Sequence, residues 1–257
     1  MIPALLLGRK GSVGLPGKNT RLIKGKPLAA YPMQAAKLAP SVDQVFLSTD
    51  DPELMKIARQ NNVEVIERPA YLCTNQALGE DAYKHGYEEI CKRTNQAVEI
   101  LVLMFCNAPT VLPSQIEEAI QVLKDNPEVD SAVTVSRYNM WSPLRARRIG
   151  SDGLLHPFVS LESIGDPSKL NCDRDSQGDA WFADVALSVV RAKNFEHIEQ
   201  GLLPQKWMGR KIHPIKNEAG LDVDYEWQVP MVEWWIENKL YREIPLEQSE
   251  MQIGKAK

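Results

Sequence analysis

Short apolar runs alternate with segments of helical periodicity along the first 190 residues. The runs predict six strands: Ile2–Leu7, Gln44–Ser48, Val63–Ile66, Ile100–Phe105, Ser131–Ser136 and Val185–Val190. The segments between them predict four helices: Leu28–Leu38, Pro52–Asn61, Gly79–Arg93 and Pro113–Lys124. Leu101–Phe105 is apolar throughout, as a strand covered on both faces should be. The alternation predicts a mainly parallel, Rossmann-like, three-layer α/β/α sheet with right-handed crossovers.

In such a sheet, ligands bind beyond the carboxyl ends of the strands. Those ends are predicted at Gly8–Lys18, Ser48–Asp51, Cys106–Thr110 and the stretch after Ser136. We therefore expect the binding and catalytic residues in these four segments and in other parts of the chain that fold against them.

The alternating pattern breaks after Ser136. Two weak strand signals, Ala146–Ile149 and Pro157–Leu161, flank Asp152-Gly153, which is a hairpin signal. We expect residues 138–182 to form an extension inserted before the last core strand. Because such hairpins often pair with a copy of themselves, the extension motivates a homodimer hypothesis.

The C-terminal part of the chain predicts one more helix and the end of the domain. An apolar-periodic segment predicts a helix over about Met231–Lys239, with Pro230 marking a break before it. Residues 1–240 are expected to form one domain, with 241–257 as a tail.

Composition narrows the possible functions. The chain has 257 residues and a net charge of −4, so no overall excess of Lys and Arg exists to neutralise a nucleic-acid backbone. No apolar run approaches the ~20 residues of a membrane span, and no signal peptide is recognised. Four scattered cysteines form no CxxC or Cys/His cluster, which indicates free thiols in a reducing, cytoplasmic setting. We therefore expect neither nucleic-acid nor membrane partners.

The N-terminal loop has the composition of a phosphate-binding loop. It follows a buried strand, but it contains neither the GxxxxGK[ST] nor the GxGxxG pattern. Glycines such as Gly11 let backbone N–H groups approach a phosphate, while side chains supply charge and hydrogen bonds. The candidate ligand-binding side chains are Arg9, Lys10, Ser12, Lys18 and Asn19. Spacing alone leaves open a flexible basic loop without a ligand.

A second constellation is the pair Asp222 and Asp224. In an extended segment alternate residues share a face, so both carboxylates point the same way. Two like charges ~5 Å apart repel by about 3 kcal/mol at an effective dielectric of ~20. A Mg²⁺ ion would relieve that repulsion and bridge to substrate phosphates. The alternative from the residues alone is a helix-capping Asp224 beside a solvated neighbour.

Four sequence blocks, taken together, resemble the acylneuraminate cytidylyltransferase family. They are IPALLLGRKGSVGLPGKN, VFLSTDD at Val45–Asp51, ERPAYL at Glu67–Leu72 and LDVD at Leu221–Asp224. The blocks occur in the family's order and spacing, and the similarity covers most of residues 1–240. The resemblance implies a Mg²⁺-dependent reaction in which an anomeric hydroxyl attacks the α-phosphorus of CTP. The products would be a CMP-sugar and pyrophosphate.

The resemblance also implies roles for residues on the nucleotide side. Arg9, Lys18 and Asn19 match triphosphate and ribose contacts, and Arg68 matches a nucleotide-binding arginine. Lys10, Gly11 and Ser12 complete the expected nucleotide-binding set. Asp222 and Asp224 match the metal-binding pair, and together with Arg9 and Lys18 they form the expected catalytic set.

The resemblance places an acidic sugar on the other side of the site. Arg145 and Arg174 match cations that help hold the sugar carboxylate, often across a dimer interface. Arginine suits this role because its fork binds carboxylates bidentately. The other substrate-binding candidates are Asn107, Gln177 and Asp184.

Three departures from the family pattern leave alternatives open. Val13 stands where the family usually has Lys, Phe105 replaces a glutamine that contacts the sugar, and Asp184-Val185-Ala186 replaces NGA. A nine-carbon 2-keto acid sugar such as a sialic or legionaminic acid is the first expectation. The alternatives are an eight-carbon keto-deoxy sugar or a phosphonate acceptor, and an inactive nucleotide-binding regulatory subunit.

Overall fold

The main sheet has seven strands in the order β11-β7-β10-β6-β1-β4-β5 within the described residues. A computed structural model describes residues 1–11, 14–175 and 178–244. The strands are β1 Pro3–Leu7, β2 Leu22–Ile23, β3 Lys26–Pro27, β4 Gln44–Thr49, β5 Glu64–Glu67, β6 Ile100–Phe105, β7 Ser131–Arg137, β8 Arg147–Ile149, β9 Leu155–Pro157, β10 Trp181–Arg191 and β11 Ile212–Asn217. The pairs β2–β3 and β8–β9 form two small separate sheets.

Helices cover both faces of this sheet, which confirms the predicted three-layer α/β/α fold. They are α1 Ala30–Leu38, α2 Pro52–Gln60, α3 Gly79–Thr94, α4 Pro113–Asp125, α5 Lys193–Glu196, α6 Val229–Trp235 and α7 Tyr241–Glu243. The start of α2 shows why the chain turns helical there: the Asp51 carboxylate accepts a hydrogen bond from the backbone N–H of Glu53 at 2.9 Å. Pro52 occupies the first turn, where its missing N–H costs no helical hydrogen bond.

Alternate residues of β1 divide the core into two halves. Ala4 and Leu6 pack with the cluster that includes α1, α2 and α4, whereas Leu5 and Leu7 pack with the cluster that includes α3. Every residue of β1 is buried, so the strand that ends in the N-terminal loop lies at the centre of the molecule. This position fixes the start of the loop.

One core strand runs against the others. Strand β10 pairs antiparallel with β6 and β7, while the remaining pairs in the main sheet are parallel. It begins at Trp181, four residues before the predicted strand, so its first residues extend the sheet towards the ligand end.

The last strand, β11, was not predicted from sequence. It lies at the edge of the sheet beside β7, contains Pro214 and is largely exposed. A sheet edge tolerates proline because one side of the strand forms no ladder. The C-terminal helix also begins earlier than expected, at Val229, with Pro230 in its first turn, and a π-helical turn over Ile236–Leu240 links α6 to α7.

The expected extension contains a hairpin, with β8 and β9 antiparallel and separate from the main sheet. Of the expected tail, Tyr241–Glu243 is helical, and residues 245–257 lie outside the described part of the chain. In the described ranges, no helix combines the length and the apolar character needed to cross a membrane.

Candidate functional site

A cavity of about 360 Å³ lies at the carboxyl ends of β1 and β6. One part of its wall is polar, and another is apolar and includes Leu72, Leu78 and Phe105. The charged and amide side chains are Arg9, Lys18, Asn19, Arg68, Asn107 and Asp224. The fold therefore brings six of the predicted site residues, from four distant parts of the chain, to one concave surface.

Lys18 and Asp224 form an ion pair across the cavity, although 206 residues separate them in sequence. Lys18 begins a 3₁₀ turn over Lys18–Thr20, and its side chain is largely buried. The loop lies against the aspartate segment so closely that a Cβ at Gly14 would be 2.8 Å from the carbonyl oxygen of Asp224. Glycine is required at position 14 for this approach.

Arg68 supplies a buried cation at the base of the cavity. Its Nε donates to Ser48 Oγ at 3.1 Å and its terminal nitrogen to the Ser48 carbonyl at 2.6 Å. Burial lowers the pKa of Arg68 from its ordinary value, although the group remains cationic at neutral pH. Two hydrogen bonds to β4 fix the guanidinium, so its charge is positioned before any ligand binds.

Arg9 and Asn19 lie on the loop side of the same cavity. Arg9 donates to the Cys73 carbonyl at 3.2 Å and to Asn75 Oδ1 at 2.8 Å. Asn19 Oδ1 is buried and accepts no hydrogen bond from the residues that the structure describes. A buried acceptor without a partner is costly, so Asn19 is suited to receive a donor from a ligand.

The aspartate segment is held from both sides. The Val223 N–H donates to the Asn107 carbonyl at 2.8 Å, and Asn107 Nδ2 lies 3.4 Å from Asp222 Oδ2. Gln228 Oε1 accepts from the backbone N–H of Asp224 at 2.6 Å. These contacts orient the two carboxylates without occupying all of their oxygens.

The two carboxylates interact electrostatically. Burial, followed by the nearby charge of Asp224, raises the pKa of Asp222, and the ammonium group of Lys18 opposes that rise. No group of three or more His, Cys, Asp or Glu side chains suited to a metal ion occurs in the described ranges. A cation at this pair would therefore need further oxygen ligands from a substrate, as is common for Mg²⁺.

Two of the predicted loop residues do not line this cavity. Lys10 is exposed, and its backbone N–H donates to Asp50 Oδ1 at 2.8 Å. Gly11 has a φ of 79° and an open surrounding. Ser12, Val13 and Gln177 lie outside the described residues.

Arg145 and Arg174 line a second cavity, of about 340 Å³, in the extension. Arg145 donates to the Cys172 carbonyl at 2.9 Å, and Arg174 forms an ion pair with Asp175 at 2.6 Å. In the described part of a single chain, these two cations are thus not brought into the cavity that holds Lys18.

Asp184, a predicted sugar-binding residue, is almost fully buried and bonded within the protein. It is 6% exposed, and it accepts hydrogen bonds from Thr134 Oγ1 at 2.5 Å, Ser136 Oγ at 2.7 Å and Asn217 Nδ2 at 3.1 Å. Burial raises its pKa, and these donors oppose the rise. Because protein donors engage both carboxylate oxygens, Asp184 is an internal anchor in this structure. It also lines a cavity of about 210 Å³ together with Asp222, and its role in sugar binding stays a prediction.

Sequence reasoning missed several residues that shape the site. Gln228 caps the end of the aspartate segment, Ser48 holds Arg68, and Thr110 bonds both backbone groups of Leu221. A polar residue inside an apolar strand, as at Ser48, is a usable signal because buried hydroxyls require partners. Gln228 carries no such signal before the fold is known.

Comparison with known proteins identifies similar sequences. A sequence model described as cytidylyltransferase matches residues 3–217. An N-acylneuraminate cytidylyltransferase of Oncorhynchus mykiss is 24% identical over 229 residues, covering 89% of this chain and 49% of that protein. A CMP-N,N'-diacetyllegionaminic acid synthase of Legionella pneumophila is 29% identical over 203 residues, covering 76% and 82%. A 3-deoxy-manno-octulosonate cytidylyltransferase of Pelobacter propionicus is 27% identical over 193 residues, covering 75% and 64%.

The comparison extends to the length of the relatives and to solved structures. The chain spans about half the length of some of these relatives, 49% for the Oncorhynchus mykiss protein. A solved structure of a CMP:2-keto-3-deoxy-manno-octonic acid synthetase complexed with CTP has a TM-score of 0.64 at 17% identity, covering 92% of this chain and 98% of that one. A 4-diphosphocytidyl-2C-methyl-D-erythritol synthase gives 0.62 at 11% identity, covering 91% and 97%. At 17% and 11% identity, these structural similarities show that the chain shares the fold of those proteins.

Proposed function

Because this chain belongs to the cytidylyltransferase family, we propose that it transfers the cytidylyl group of CTP to the anomeric hydroxyl of a nine-carbon 2-keto acid sugar. The products are a CMP-sugar and pyrophosphate. The observation that carries the proposal is the cavity in which Lys18, Arg9 and Arg68 face Asp224, with Asp222 close enough to Asp224 for the two carboxylates to interact. Cations and paired carboxylates at the carboxyl end of a parallel sheet suit a nucleoside triphosphate and its divalent cation.

The chemical step is an in-line displacement at phosphorus. The sugar hydroxyl oxygen forms a bond to the α-phosphorus, the bond from that phosphorus to the α–β bridging oxygen breaks, and the hydroxyl proton is released. Lys18 and Arg9 neutralise the charge that accumulates on the departing pyrophosphate. Arg68, fixed by Ser48, holds the nucleotide in place. Positioning and electrostatics supply the rate acceleration, and no covalent enzyme intermediate is required.

The residues around Asp222 and Asp224 fit a divalent cation. Two carboxylates lie close enough for Asp224 to raise the pKa of Asp222, and the pair is already approached by one cationic group, the ammonium of Lys18. Asp222 and Asp224 would hold Mg²⁺ together with phosphate oxygens. When bound, the ion polarises the phosphoryl oxygens and neutralises their charge. Lys18 would then exchange its contact with Asp224 for one with the triphosphate.

The nine-carbon acceptor is supported by the names of similar proteins. The Legionella pneumophila synthase is named for diacetyllegionaminic acid, and this chain covers 82% of its length. An eight-carbon keto-deoxy sugar is the second candidate, since the Pelobacter propionicus relative is named for 3-deoxy-manno-octulosonate. Phe105 favours the less hydroxylated end of either acceptor, because a buried hydroxyl against an aromatic ring would lack a partner.

A second copy of the chain would complete the sugar side of the site. Arg145 and Arg174 lie in the extension, away from Lys18, and the surface around them exposes large apolar side chains. These apolar residues are Met140, Trp141, Ile149, Leu154, Leu155 and Phe158. A patch of this kind is typical of a protein interface. We propose that the extension of one protomer packs on its partner and that its arginines bind the carboxylate of the acceptor.

The activity is tested by pyrophosphate release from CTP with a panel of acceptors. We expect release with at least one nine-carbon 2-keto acid sugar and slower release with the eight-carbon sugar. Faster release with the eight-carbon sugar would select the second candidate. No release with any 2-keto acid sugar would contradict the proposed function, and tight CTP binding without turnover would favour a regulatory subunit.

A further inference from the structure

The segment that carries Asp222 and Asp224 has no regular secondary structure over residues 218–224. Its position therefore depends on hydrogen bonds to β7 and to the segments that follow β6 and β7. The Gly220 N–H donates to Ser136 Oγ at 2.9 Å, and the Gly220 carbonyl accepts from Tyr138 Oη at 2.8 Å. The Leu221 N–H donates to Thr110 Oγ1 at 2.9 Å.

The hydroxyl of Ser136 connects this segment to Asp184. It has one proton, which it donates to Asp184 Oδ2 at 2.7 Å. Its oxygen is then free to accept the N–H of Gly220, which has no other partner among the residues described. The Asp184 carboxylate thereby orients the Ser136 hydroxyl, and that hydroxyl fixes the position of the Gly220 backbone.

Asp184 is itself fixed by further donors. The N–H of Ala186 reaches its Oδ1 at 3.2 Å, and the Asn217 amide nitrogen reaches its Oδ2 at 3.1 Å while also donating to the Thr110 carbonyl at 2.8 Å. The amide and the N–H can only donate, so an ionised carboxylate matches them. One buried charge thus joins β7, β10, β11 and the loop after β6.

Gly220 packs directly against the Asp184 carboxylate. A Cβ at position 220 would overlap Asp184 Oδ2 and Asn217 Nδ2. The neighbouring strand is also irregular: the register of β10 against β7 shifts between Ala183 and Ser188, and Val185 has a φ of 53°. A β-branched residue in this conformation is strained, and the surrounding bonds must maintain it. The bulge turns the Asp184 carboxylate into the interior.

We infer that Asp184 is a positioning residue, which acts through Ser136 and Asn217 to hold the 218–224 segment so that Asp224 faces the Lys18 cavity with the Asp222 carboxylate beside it. Its role towards a metal ion rests on the proposed function. Groups that orient metal ligands typically contribute a factor of about 10–100 to metal affinity.

The chain offers a matched control at the other end of the same two strands. The Asp130 carboxylate accepts from the backbone N–H groups of Arg210 and Lys211, each at 3.0 Å, just before β11 begins. Asp130→Asn therefore disturbs a carboxylate that holds β11 to β7 but lies away from residues 218–224. Ser136→Ala is a milder second variant, because it removes the connection and leaves the Asp184 charge in place.

The first readout is amide hydrogen exchange of the 218–224 segment, measured without any ligand. We expect exchange at least about tenfold faster in Asp184→Asn and about threefold faster in Ser136→Ala, with Asp130→Asn unchanged. Unchanged protection in both of the first two variants, or an equal loss in Asp130→Asn, would overturn the inference.

The second readout is binding of CTP with and without Mn²⁺ by titration calorimetry. Asp184→Asn should weaken binding of Mn²⁺·CTP by about 10–100-fold and change binding of metal-free CTP by less than about threefold. Equal affinity of Asp184→Asn and the unsubstituted chain for Mn²⁺·CTP would overturn the positioning role. If the unsubstituted chain binds no Mn²⁺·CTP, the proposed function fails, while the exchange measurement still decides whether Asp184 holds the segment.

Discussion

Lys18 and Arg174 are both cations predicted to contact substrate, but their surroundings differ. The Lys18 side chain is 11% exposed and pairs with Asp224 from the far end of the chain. The Arg174 side chain is 62% exposed and pairs with its own neighbour, Asp175. The first cation belongs to a cavity that the fold of one chain builds, and the second belongs to an extension whose apolar surface is exposed.

The difference indicates that the Lys18 cavity is formed within one chain, whereas the extension leaves its apolar surface uncovered. Contacts in the Lys18 cavity join residues far apart in sequence, so they form when the sheet forms. The contacts of Arg145 and Arg174 stay within the extension, with the Cys172 carbonyl and with Asp175. We therefore expect substitutions in the cavity to affect nucleotide chemistry in any oligomeric state. Substitutions in the extension should act on assembly and on the acceptor.

The largest effect is expected from Asp224→Asn. Removing this charge eliminates one carboxylate of the pair and the partner of Lys18. Turnover of CTP should fall by at least about 10³-fold, because charge stabilisation at phosphorus is lost. The measurement is pyrophosphate release, with circular dichroism to show that the fold is kept.

The matched control for that change is Asp125→Asn, at the exposed end of α4. It neutralises one carboxylate outside the cavity and should leave turnover within about twofold, since exposed substitutions usually have small effects. Retained activity in Asp224→Asn would refute the assignment of the carboxylate pair.

The next largest effect is expected on assembly. Leu155→Lys places a charge in the exposed apolar surface of the hairpin and should convert a dimer to monomers, because an unpaired buried charge is costly. Light scattering after gel filtration measures the mass. Leu203→Lys, which changes an equally exposed leucine outside the extension, should leave the mass unchanged. A monomeric unsubstituted chain would contradict the proposed role of the extension.

A smaller effect is expected on acceptor binding. Arg145→Ala and Arg174→Ala should each raise the KM for the acceptor by about 10–100-fold, the value of a hydrogen bond between charged groups. The KM for CTP should change little. Arg148→Ala, in β8 of the same extension, serves as the control. A parallel rise in the KM for CTP would show that the two regions act on the same substrate.

The smallest effect concerns stability within the extension. Hydrogen bonds from Arg174, and then Asn139, lower the pKa of Asp175 from 3.8 to about 2. A carboxyl whose pKa falls on folding contributes stability above its unfolded pKa and loses that contribution as the pH drops. Asp175→Asn should therefore lower the urea midpoint at about pH 6, and the difference should shrink between about pH 4 and pH 2. A difference independent of pH would exclude the ion pair as its cause.

The sequence predicted the core strands well and the sheet edge poorly, for a physical reason. Ile100–Phe105 is buried on both faces and is recognised by its apolar run alone. Ile212–Asn217 lies at the edge, with an exposed face and Pro214, and so lacks both an apolar run and regular alternation. The antiparallel direction of β10 also follows from the path of the chain and not from local pattern.

The same limit applies to the site. Lys18 and Asp224 could be assigned to one site in advance because each belongs to a block of the family pattern, although their ion pair was not predicted. The hydrogen bonds of Asp184 could not be predicted, because a carboxylate inside a strand is expected to face solvent or a ligand unless its buried partners are known. Those partners, Thr134, Ser136 and Asn217, come from two other strands, so only the folded sheet brings them together.

Transfer of the cytidylyl group to a sugar hydroxyl is tested most directly with a nine-carbon 2-keto acid sugar freshly labelled with ¹⁸O at its anomeric hydroxyl. Mass spectrometry of the products after incubation with CTP and Mg²⁺ should find the label in a CMP-sugar and none in pyrophosphate. Absence of the CMP-sugar, or label recovered in pyrophosphate, would contradict attack by the sugar oxygen on the α-phosphorus.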